Sequence, residues 1–118
     1  MSGFTCGDVI WGYWPHEDGI GGKKRYILVI SSDDETGQGQ IFVAYGSSQK
    51  VCASAPVRGE LVIHEVCDLA RAGLHCPTRF DLLKTRWISP KGFAFRGDVR
   101  GGEAKKRFFQ AAKLADLI

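Results

Sequence analysis

Gly21-Gly-Lys-Lys-Arg-Tyr-Ile-Leu-Val-Ile30 joins a glycine pair and three consecutive cations to an unbroken apolar run. Such a run, here Arg25 to Ser31, reads as a β-strand buried on both faces, because a half-exposed strand would alternate apolar with polar residues. Upstream, Asp8-Val-Ile-Trp-Gly-Tyr-Trp14 is rich in β-branched and aromatic residues and is stopped by Pro15, which predicts a first strand and a loop from Pro15 to Lys24. Downstream, the run from Asp33 to Gly39 has turn composition, and Gln40-Ile-Phe-Val-Ala-Tyr45 reads as a third strand ending at Gly46. The cations between the first two strands form a positive mouth fixed to a buried wall, an arrangement suited to holding a phosphate.

Further from this centre the pattern loosens. Residues 47–57 read as an irregular loop, Glu60 to Glu65 as a fourth strand, and Val66 to Ala72 as one or two helical turns closed by Gly73. Thr78 to Ile88 reads as one or two short strands, and the segment from Phe93 to Gly102 has no assignment. A C-terminal helix over about residues 102–117 is predicted from Phe108, Ala111, Ala112, Ala115 and Leu117, which fall near helical spacing. Lys105, Lys106 and Arg107 crowd its first half, where the helix dipole disfavours cations, so they are expected to be solvated.

The 118 residues fit one domain, 1–118, with enough chain for a real core. Fifteen glycines imply many tight turns. The expected class is mainly β with α: a small SH3-like β-barrel around one apolar centre, with a short helix and a C-terminal helix covering an open end. A net charge of +3 allows a local basic groove and excludes proteins that coat nucleic acid by charge alone. Neither a leader pattern nor an apolar run of membrane-spanning length is present, so a cytoplasmic location is expected. The four cysteines, at 6, 52, 67 and 76, form no Cys-x-x-Cys pair and are expected to be reduced thiols. His64-x-x-Cys67 with His75-Cys76 supplies metal-ligand residue types, but adjacent residues on extended backbone point to opposite faces, so no metal or cofactor is expected.

Four ordered blocks carry a family resemblance. Gly7-Asp-Val-Ile-Trp11, Lys24-Arg-Tyr-Ile-Leu-Val-Ile30, Val43-Ala-Tyr-Gly-Ser-Ser-Gln-Lys50 and Ala72-Gly-Leu74 with Pro77-Thr-Arg-Phe-Asp-Leu82 resemble the PemK/MazF/Kid toxins over roughly residues 7–90. The resemblance implies a homodimeric toxin of a type II toxin-antitoxin pair, with the barrel also seen in CcdB-like gyrase-poisoning toxins. Its implied activity is metal-independent endoribonucleolytic cleavage of single-stranded mRNA, neutralised by a cognate antitoxin with an acidic tail. It assigns catalysis to Arg25, Ser47, Arg79, Asp81 and His16. Lys23, Lys24, Gln49 and Lys50 are expected to bind the RNA. Ser47 stands where the family usually has threonine, and Tyr26 where it usually has proline.

The chemistry agrees on elementary grounds. Cleaving RNA without metal requires a base near the 2′-hydroxyl, cations for charge on the non-bridging oxygens and an acid for the leaving 5′-oxygen. Asp81 or His16 supplies a base, and Arg25 and Arg79 supply fork-shaped donors that match a phosphate. Arg79 and Asp81, two apart on a strand, share a face and can pair. His64 and His75 read as structural, the latter stabilising a helix end, whereas His16 lies beside Glu17 and Asp18. Of Trp11, Tyr13 and Trp14, two are expected in the core and one is free to stack a base. The alternative function is a non-catalytic barrel that binds a host protein or nucleic acid.

Overall fold

The computed structural model describes residues 3–15, 21–33, 39–48 and 59–117. His16, Gln49, Lys50, Asp34 and Glu35 lie outside them. The elements run β1 (Asp8–Pro15), β2 (Gly22–Ser32), β3 (Ile41–Ser47), β4 (Glu60–Ile63), α1 (Val66–Ala72), β5 (Thr78–Ile88), β6 (Ala94–Asp98) and α2 (Gly102–Leu114).

β2 organises the molecule. Ile27, Leu28 and Val29 are fully buried, as the unbroken apolar run requires, and they feed two separate clusters instead of one centre. Leu28 joins Val9, Ala44, Leu61, Ile63, Phe80, Leu82 and the apolar face of α2. Ile27 and Val29 join Ile10, Trp14, Ile41 and Val43. Side chains alternate across a strand, so these clusters lie on opposite faces of the sheet. That sheet has six strands in the order β4-β5-β3-β2-β1-β6, and every pairing is antiparallel. It curls into a half-barrel whose edge strands are supported by the helices: α2 packs on β4, α1 on β6, and the helices touch each other.

Several boundaries differ from the sequence reading. β2 begins at Gly22, so Lys23 and Lys24 stand on a strand with Arg25 and not in a loop; antiparallel pairing with β1 continues to Pro15↔Gly22 and overrides the loop-like composition. β3 continues through Gly46 to Ser47. A Cβ at Gly46 would lie 2.8 Å from the Phe80 ring and 2.9 Å from the Tyr26 carbonyl oxygen, so glycine lets β2, β3 and β5 close together there. β4 ends at Ile63, β5 is one strand of 11 residues, and part of the unassigned segment forms the edge strand β6.

The helices follow their local signals more closely. α1 spans the expected residues, and Gly73 ends it in the left-handed region at φ 70°, with the Leu74 N–H reaching Leu69 at 2.9 Å. α2 ends at Leu114, with Ala104, Phe108, Ala111 and Ala112 buried. Lys105 and Lys106 are exposed, whereas Arg107 donates to Glu65 Oε1 at 2.9 Å, correcting the expectation of a solvated cation. No helix among the described residues is long and apolar enough to cross a membrane.

An ion network fastens β6 to the rest. Asp98 Oδ1 accepts from Arg71 Nε at 2.7 Å and from the Arg100 backbone N–H at 3.0 Å, and Arg100 also pairs with the buried carboxylate of Asp8. Burial pushes the Asp98 pKa up, but the bond from Arg71, the Arg100 amide and the two guanidinium charges outweigh it, leaving it below the ordinary value. A lowered folded pKa means this group stabilises the fold above the unfolded value of about 3.9, and that contribution disappears as pH falls through the folded value. The stability gap between wild type and Asp98→Asn is therefore expected to be constant at neutral pH and to shrink below about pH 4 in urea titrations. A gap unchanged down to acid unfolding would remove the carboxylate charge from the account.

Candidate nucleic-acid cleft

The cations on β2 stand at fixed register. Lys23, Lys24 and Arg25 pair across to Trp14, Tyr13 and Gly12 of β1, which holds their backbone far more firmly than a glycine-rich loop would. They border a cleft of about 160 Å³ together with Trp11 and Tyr26, Gly46, Ser47 and Ser48 at the end of β3, and His75, Cys76 and Thr78 before and at the start of β5. Four residues singled out in the sequence, Lys23, Lys24, Arg25 and Ser47, thus meet at one place. The lysines are exposed; Arg25 and Ser47 are half-buried.

Arg25 is aimed by stacking. Its guanidinium lies over the Tyr45 ring at 5.2 Å, Tyr45 meets Trp14 at 5.7 Å, and Arg86 caps Trp14 at 4.3 Å. This column draws one residue each from β2, β3, β1 and β5. It restrains the flat face of Arg25 without using any of its N–H donors, so the donor fork stays available to an anion. Neither Tyr45 nor Arg86 could be found from local sequence, because the column exists only once four strands are in register. Of the three aromatic residues of β1, Trp14 alone is buried in the core, where two were expected; Trp11 is half-buried at the cleft and Tyr13 is exposed.

Arg79 and Asp81 occupy the neighbouring part of β5. Arg79 stands opposite Ser47 in register, and its Nη1 donates to Glu60 Oε2 at 3.1 Å, with both side chains largely buried. Glu60 in turn stands opposite Asp81 on β4. Arg79 and Asp81 do share a face, yet the Asp81 Oδ1 accepts from the Leu83 N–H at 3.0 Å, and the carboxylate seen against the arginine is that of Glu60. Glu60 is a residue the sequence reading passed over; it lies 19 positions from Arg79 in a segment read as ordinary strand.

The remaining histidines also find partners. His64 Nε2 is 4.0 Å from Glu65 Oε1, and His75 Nδ1 is 2.6 Å from the Tyr26 hydroxyl, so His75 engages a β2 side chain instead of the end of α1. Among the described residues no group of three or more His, Cys, Asp or Glu is placed to hold a metal ion.

A basic cleft on a curled antiparallel half-barrel can be set beside known proteins. The chain matches no family profile and no curated protein. Among solved structures it is similar to the Mycobacterium tuberculosis toxin MazF-mt6, with a TM-score of 0.59 and 13% sequence identity over 92% of this chain and 96% of that one. At that identity the likeness establishes the fold, which is MazF-like.

Proposed function

We propose that this chain is a toxin-type endoribonuclease that cleaves single-stranded RNA without a metal ion. The observation carrying this reading is the convergence of Arg25, Lys23, Lys24 and Ser47 on one cleft, with the face of the Arg25 guanidinium held against the Tyr45 ring. In that reaction the 2′-hydroxyl attacks the adjacent phosphate, and charge builds on the non-bridging oxygens. Arg25 meets that charge with paired N–H donors, the lysines hold flanking phosphates, and the Ser47 hydroxyl contributes a further donor. Arg79, across the ladder from Ser47, supports the same end of β3, and Asp81, His16, Gln49 and Lys50 complete the set singled out in the sequence. The MazF-like fold supports the same reading.

Incubation with a long single-stranded RNA in excess EDTA is expected to give undiminished cleavage, with 2′,3′-cyclic phosphate and 5′-hydroxyl ends. Products carrying a 5′-phosphate, or activity that returns only with added divalent metal, would sink the mechanism.

The same reading supplies the regulation. The protein acts in the cytoplasm as a homodimer and is silenced by an antitoxin whose acidic, disordered tail lies over Lys23, Lys24 and Arg25, occupying the phosphate contacts. An acidic peptide and RNA are then expected to displace one another, with both affinities falling as salt rises. Simultaneous, independent binding in a fluorescence titration would exclude a shared cleft, and a monomer in light scattering at micromolar concentration would exclude the dimer.

A further inference from the structure

The Tyr26 ring packs against the main core cluster, but its hydroxyl makes a contact in the cleft that neither core packing nor the cation run requires. Tyr26 follows Arg25 on β2, and His75 lies in the bend between α1 and β5, 49 positions away, with Tyr26 Oη 2.6 Å from His75 Nδ1. The tyrosine ring is flanked by Trp11 at 4.6 Å and by the His75 imidazole at 5.4 Å. All three line the same cleft as Arg25 and Ser47, and His75 is exposed. Among the described residues lining the cleft the charged groups are Lys23, Lys24 and Arg25 from β2, and the Cys76 thiol follows His75 in the chain. Among the described residues lining the cleft there is no carboxylate. Imidazole is the side chain best suited to exchanging protons near neutral pH.

We infer that His75 is the base that takes the 2′-hydroxyl proton and that Tyr26 is its positioning residue; this rests on the RNA-cleaving function proposed above. With Nδ1–H donating to Tyr26 Oη, the neutral ring keeps its lone pair on Nε2. The 2′-hydroxyl gives its proton to Nε2 as the O2′–P bond forms. The P–O5′ bond then breaks, the departing oxygen takes a proton from water, and the imidazolium returns its own proton to water. The phenol keeps its own O–H, which is free to donate to a phosphate oxygen. Asp81, the carboxylate singled out from the sequence, is turned to the Leu83 amide and does not line the cleft.

The test compares wild type, His75→Ala and Tyr26→Phe on one long single-stranded RNA across a pH series, with a 2′-O-methyl RNA of the same sequence as an uncleavable binding probe. His75→Ala is expected to cleave about 10²-fold more slowly or worse, to lose one limb of the pH–rate profile and to bind the probe as wild type does. Tyr26→Phe keeps the ring stack, and is expected to slow cleavage about tenfold and displace that limb without abolishing it. If wild type and His75→Ala cleave alike with the same profile, the role of His75 is overturned while the ribonuclease function stands. If His75→Ala loses probe binding in step with cleavage, His75 is a binding residue and the inference fails. A wild type that does not cleave overturns both.

Discussion

Arg25→Ala is expected to slow RNA cleavage by about 10²- to 10³-fold, the effect of deleting one preorganised donor from a site that stabilises developing negative charge. The size follows from how the residue is held. Its backbone is fixed in β2 opposite Gly12, and its guanidinium is restrained by the Tyr45 face at 5.2 Å. Among the described residues none of the ion pairs involves it. Stability is expected to change little, since the substitution removes a single cation–π contact worth about 0.5–1 kcal/mol. Arg25→Lys keeps the charge and loses the fork, so its rate should fall between the two. Single-turnover kinetics with thermal melting separates these effects, and an alanine variant that cleaves at the wild-type rate would take Arg25 out of the site.

The contrast between Arg25 and its neighbours shows what the sequence made legible. The apolar run after Arg25 announced a doubly buried strand because burial of both faces leaves no room for polar alternation, and Ile27 to Val29 are fully buried. The start of that strand was not legible: Lys23 and Lys24 have loop composition, and only pairing with β1 makes them strand. β6 was hidden for a similar reason. Its residues Ala94 to Arg96 are exposed, so the edge strand lacks the apolar pattern that marks a strand in sequence. α1 was legible because Gly73 and its left-handed cap act locally. The residues of the cleft could be named one at a time, but the contacts that orient them could not. Tyr26 meets His75 across 49 positions and Arg79 meets Glu60 across 19, and no local period encodes such distances.

Arg79→Ala is expected to cost about 3 kcal/mol of folding stability, independently of any effect on RNA. Glu60 keeps its carboxylate largely buried beneath β5, where Arg79 answers it at 3.1 Å and Asp81 stands opposite in register. Removing the arginine leaves a desolvated anion beside a second carboxylate, and breaking a buried pair from one side costs about 3–5 kcal/mol. The lower figure applies because the Arg79 side chain retains some solvent contact. For a domain of this size the loss should lower the melting temperature by roughly 10 °C. Glu60→Gln in the same chain removes the stranded charge, so the double variant is expected to recover much of that stability, with a coupling of about 1–3 kcal/mol in the double-mutant cycle. Cleavage separates the two roles assigned to this arginine. If Arg79 acts only by neutralising Glu60, the double variant regains activity along with stability. A double variant that is stable yet still slow places the guanidinium at the phosphate, next to Ser47, and a cycle with no coupling would mean that the pair with Glu60 does not hold this end of the sheet together.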